Sequence, residues 1–162
     1  METTNPKRLW QEEHGGAQLP EWVDTLVDAG LLIDTSWHND SCPSFQIRSD
    51  GIMDASTLWI DYPMPEERES HCGGSRFFIC PPDGDEQAGS IVWESDNEQD
   101  ALRYLANWAG FPFPLQNTLT AYAAAMDAIE SIDAADLGSR AEQDLYDAAG
   151  DAYADIVDAV GR

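Results

Sequence analysis

A chain of 162 residues with 43% hydrophobic residues, including six Trp, five Phe and five Tyr, is long and apolar enough to bury a core, which excludes an intrinsically disordered protein. Its 31 acidic residues against 8 Lys and Arg leave a formal charge of −23, which excludes direct binding to nucleic acid or to an anionic membrane surface and favours a cationic partner. No run approaches the ~20 apolar residues of a membrane span, the first residues carry no apolar signal region, and three cysteines are an odd number for a disulfide framework, so a reduced, cytoplasmic setting is expected.

Residues 1–18 are polar and read as an arm, with Trp10, beside Lys7 and Arg8, as a candidate docking anchor. PEWVDTLVDAG (20–30) predicts a helix: Pro20 suits its first position and Gly30 its stop, while Trp22, Val23, Leu26 and Val27 share one face. Five short strand-like runs follow, at 31–37, 44–48, 56–62, 76–80 and 90–94, separated by turn signals such as SDG at 49–51 and PPDGDE at 81–86. Gaps this short favour an antiparallel meander over parallel crossovers. The aromatic residues of these runs (Trp37, Phe45, Trp59, Phe77, Phe78 and Trp93) are expected in the core.

SDNEQDALRYLANWAG (95–110) predicts a second helix, opened by a capping box of Asp96 with Gln99 or Ser95 with Glu98 and ended by Gly110. FPFP (111–114) marks a corner. Two more helices are expected at about 118–135 and 140–160, the last opened by Ser139 with Glu142. The order predicts an α+β fold: an antiparallel meander of four to five strands with helices on one face, plus a C-terminal acidic helical pair. In domain terms these are a polar arm at 1–18, an α+β domain at 19–110 and the helical pair at 111–162.

The last helix carries the most pointed feature. Asp144, Asp147, Asp151, Asp155 and Asp158 recur at steps of three and four and fall within about an 80° sector. Leu145, Ala149, Ala152, Ile156 and Val160 fall opposite. A wet face of an amphipathic helix explains such a pattern by itself. Yet a wet face normally mixes signs to gain i,i+4 pairs, and here no Lys or Arg lies between Arg140 and Arg162. Asp155 and Asp158 also sit at the negative end of the helix dipole, where acids are unfavourable. The stripe is therefore a candidate partner-binding surface, and Glu94, Asp96, Glu98 and Asp100 are candidates to extend it. Adaptation to a salty cytoplasm competes with this, because many aspartates with a single lysine suit that setting too.

A second candidate site is chemical. His38 and Cys42, with His71 and Cys72, offer two His and two thiol ligands of the kind zinc accepts, although no Cys-x2-Cys pair is present. With Asp40 and Cys80 nearby in sequence, a Cys-His-Asp nucleophile is the enzymatic variant of the same cluster. No phosphate loop, zinc-protease helix or serine elbow occurs.

SWHNDSCPSF, LWIDYP, RFFI and VWESDNEQDALRYL together resemble small uncharacterised proteins of conjugative and integrative elements, over roughly residues 31–108. By charge the chain also resembles acidic anti-restriction and anti-CRISPR proteins, which act as DNA mimics. Both resemblances imply a mobile-element context. The expectation is a non-enzymatic acidic inhibitor that binds a basic nucleic-acid-binding surface of a host defence complex, without cofactor. A zinc- or thiol-dependent module and a salt-adapted α+β domain of unrelated role are the alternatives.

Overall fold

A computed structural model describes residues 9–14, 17–48, 56–68, 74–81, 91–108, 111, 113–132 and 140–160. It divides into two compact units between Asp96 and Asn97. The helix expected at 95–110 falls in the second unit, with the C-terminal helices.

The first unit holds α1 (Leu9–Glu13), α2 (Glu21–Asp28) and a five-stranded antiparallel sheet in the order β1 (Leu32–Asp34), β2 (Ser44–Ile47), β3 (Thr57–Ile60), β4 (Phe77–Cys80) and β5 (Trp93–Ser95). This is the predicted meander, and the fold is α+β. Register sorts the side chains. Leu32 pairs with Ile47, Phe45 with Leu58, Leu58 with Ile79 and Ile60 with Phe77. Residues that pair directly share a face, and strand side chains alternate. Leu32, Phe45, Ile47, Leu58, Ile60, Phe77 and Ile79 therefore lie on one face, and all are buried. Each contributes roughly 1.5–3 kcal/mol of hydrophobic stabilisation. Trp22, Val23 and Leu26 of α2 are equally buried, and the Trp22 ring lies 6.5 Å from that of Phe77. The opposite face carries Ser44, Gln46, Thr57, Trp59, Phe78 and Cys80 and is only partly covered.

Helix α2 starts one residue later than expected and stops at Gly30 as expected. Pro20 is its N-cap, with φ −59° and ψ 145°. Gly30 takes φ +70°, the left-handed conformation that only glycine adopts cheaply, and closes the helix. Part of the predicted arm is built into the fold. Trp10 donates its backbone N–H to Asp34 Oδ2 (3.2 Å) and its indole N–H to Asp24 Oδ1 (3.4 Å). His14 and Ala17 are buried. Trp10 thus fastens α1 to the sheet unit and is not an external anchor.

The second unit holds α3 (Glu98–Ala106), α4 (Phe113–Glu130) and α5 (Arg140–Val160), with α4 packed against both neighbours. Asn97, not Asp96 or Ser95, caps α3: its side chain accepts the Asp100 N–H at 3.0 Å. Gln99 Nε2 donates to Glu130 (3.0 Å), and Arg103 bridges to Asp127, tying α3 to α4. Helix α4 begins five residues before the expected start, because a proline in the first helical turn forfeits no hydrogen bond. The Gln116 amide then donates to Phe111 O at 2.7 Å and fixes the corner. Helix α5 matches its predicted span; Ser139 lies outside the described residues. Among the described residues no helix is long and apolar enough to cross a membrane.

Candidate binding surfaces

Helix α5 places all five stripe aspartates, Asp144, Asp147, Asp151, Asp155 and Asp158, in solvent. Ala149 and Ile156 are buried, Leu145 and Ala152 are half-buried, and the Tyr153 ring meets Tyr122 of α4 at 5.7 Å. The helix thus docks by the face opposite the acids, as its periodicity requires. Asp147 accepts a hydrogen bond from Gln143 Nε2 at 3.0 Å. Asp144, Asp151 and Asp155 have no hydrogen bond or ion pair among the described residues. The helix's own fold makes no use of their charge.

The four acids expected to extend the stripe behave differently. Glu94 is exposed on β5, across from Phe78. Glu98 is half-buried in the first turn of α3. Asp100 pairs with Arg103 at 3.1 Å, within its own helix. Asp96 is structural. It accepts the Arg76 N–H (2.9 Å) and bridges to Arg68 Nη1 (2.5 Å), whose side chain is only 6% exposed. The Arg76 N–H is the main influence on its carboxyl; burial opposes it, and the Arg68 guanidinium reinforces it. The result is a pKa below the ordinary aspartate range. Sequence spacing cannot separate Asp96 from a free acid, because Arg68 lies 28 positions away.

The His/Cys cluster is not assembled from its described members. Cys42 is fully buried, whereas His38 is exposed with its ring edge-on to Trp37 at 4.8 Å. A shared metal needs both side chains at one point, and a buried thiol beside a solvent-facing imidazole does not supply it. His71 and Cys72 lie outside the described residues. Among the described residues no group of three or more His, Cys, Asp or Glu is arranged to hold a metal ion.

What spacing missed is a groove of about 460 Å³ on the open face of the sheet. Ser44, Gln46, Thr57 and Trp59 line it from β2 and β3, where Ser44 pairs with Trp59 and Gln46 with Thr57. Thr35, Trp37 and Asp40 line it from the β1–β2 connection. That connection is closed by its own hydrogen bonds. Asp40 Oδ2 accepts the Trp37 N–H (3.0 Å), Asp40 N–H returns to Trp37 O (2.9 Å), and His14 Nε2 donates to the same carbonyl (3.2 Å). Ser36 Oγ accepts the Ser44 N–H at 3.0 Å. Trp59 stacks parallel on Phe78 with centroids 6.0 Å apart. Three tryptophans expected in the core are not buried in it: Trp37 is 57% exposed, and Trp59 and Trp93 are half-buried. The signal was present in the alternation of STLWI, which puts Trp59 on the face opposite Leu58 and Ile60.

No protein-family model, curated protein or solved structure matches the chain.

Proposed function

We propose that this chain is a non-enzymatic inhibitor that occupies a basic, nucleic-acid-binding surface of a host defence complex. One observation carries the reading: a 21-residue helix holds an unbroken row of exposed aspartates, of which Asp144, Asp151 and Asp155 have no hydrogen bond or ion pair among the described residues. The mobile-element context implied by the resemblance of residues 31–108 supplies a biological reason for such an inhibitor.

Geometry favours a steric and electrostatic plug over a literal copy of a duplex. The stripe spans ~21 Å at 1.5 Å per residue, or about one charge per 5 Å. Duplex DNA presents one per ~1.7 Å. The acids accordingly steer the encounter and set its register, while exposed apolar groups such as Tyr146 and Val157 on the same helix supply contact area.

The test changes Asp147, Asp151, Asp155 and Asp158 together to Asn and measures association with the partner recovered from host lysate. Association slows roughly tenfold at low salt, and its salt dependence flattens. Added wild-type chain also displaces nucleic acid from that partner. An unchanged rate and salt slope, or a partner that holds nucleic acid and this chain together, overturns the proposal.

A further inference from the structure

We infer that the groove on the open sheet face captures an arginine side chain of a basic protein partner. The inference rests on the reading of the chain as a binder of basic surfaces and names the group that one pocket takes.

The lining selects the ligand. It offers two indoles, one carboxylate and four neutral polar side chains, and no basic residue. A phosphate or carboxylate would meet Asp40 without a compensating cation. A guanidinium is planar, stacks on tryptophan faces, and carries five N–H donors with no acceptor. The groove has acceptors waiting. Asp40 uses Oδ2 for the Trp37 N–H, and Oδ1 has no hydrogen bond among the described residues. The half-buried Gln46 amide likewise has none. An ammonium is compact and strongly hydrated and cannot stack as a plane, so lysine fits less well. The net charge of −23 favours arrival of a cationic side chain over a neutral one.

The groove is also pre-organised. Phe78 backs the Trp59 ring, and the Trp37 backbone is held by Asp40 on one side and His14 on the other. Groups already held in place lose little freedom when a ligand arrives.

Hexa-arginine and hexa-lysine, titrated into the full chain at ~0.15 M salt, test this through the indole N–H resonances of Trp37 and Trp59. Hexa-arginine moves both resonances and binds at least about threefold tighter than hexa-lysine. Trp37→Leu and Asp40→Asn each weaken hexa-arginine roughly three- to tenfold and erase most of the preference over lysine. Trp37 is exposed, so its replacement leaves the core intact; far-UV circular dichroism verifies that, and it provides the readout even if Asp40→Asn opens the turn. Movement of α5 amides alone, with both variants binding as wild type, overturns the groove inference and leaves the acidic-surface reading standing. Binding of neither peptide overturns both. Indole shifts with methyl glucoside or adenosine but not with hexa-arginine assign the groove to a neutral ring and also overturn it.

Discussion

Two kinds of aspartate in this chain are expected to answer mutation with opposite signs, and Asp96 is the sharper case. Asp96→Ala removes the bridge to Arg68 and the acceptor for the Arg76 N–H. Hydrogen bonds to charged groups contribute about 1.5–3 kcal/mol each. The Asp96 side chain is 69% exposed, so water replaces much of what is lost, and we halve that range or more. Arg68 also keeps its bonds to the carbonyls of Tyr62 (2.7 Å), Pro63 (3.0 Å) and Gly74 (2.7 Å). The expected net cost is about 1–2 kcal/mol, or roughly 3–6 °C in Tm for a chain of this size. Asp96→Asn retains an acceptor for Arg76 and should lose about half as much. The pH dependence supplies the control. A carboxyl whose folded-state pKa is depressed contributes stability above its unfolded-state pKa and loses it as pH falls through the folded value. The gap between wild type and Asp96→Ala is therefore full at neutral pH and closes in acid. Thermal melts across a pH series measure it. Equal Tm values at pH 7, or a gap that persists below the carboxylate range, would refute the assignment of Asp96 to the fold.

The fourfold Asn variant of α5 should instead gain stability, because it relieves the like-charge neighbours along the stripe, at roughly 0.2–0.5 kcal/mol per pair, and removes two acids from the negative end of the helix dipole. Its Tm should exceed wild type by a few degrees at low salt and converge with it at molar salt; a lower Tm would show that the stripe has internal partners. Gly30→Ala should cost about 1 kcal/mol, since alanine resists the φ of +70° and its Cβ would lie 3.4 Å from Arg48 Nη1; an unchanged urea midpoint counts against that backbone argument. The chain should stay folded at ~0.1 M salt, where a fold dependent on screening of self-repulsion would collapse, and circular dichroism at both salt levels separates the two.

Local pattern determined much of this protein. The alternation of apolar residues specified five short strands and the buried members of most of them, and three- and four-residue spacing specified the docked and acidic faces of α5. Pro20 and Gly30 marked the ends of α2 because their backbone preferences act within a turn. What spacing could not supply was everything decided by distant partners. Asp96 and Asp155 look alike in sequence, but strand pairing carries Arg68 and the Arg76 N–H to Asp96, and no described group reaches Asp155. Trp59 sits in an apolar run, yet the register that buries Leu58 and Ile60 turns it to the face of Gln46 and Thr57. His38 and Cys42 are four positions apart, and the hydrogen-bonded turn between them exposes one while the core takes the other. Periodicity reports which side of an element is apolar; only tertiary pairing decides which polar group meets which, and that is where the open-face groove and the structural ion pair arise.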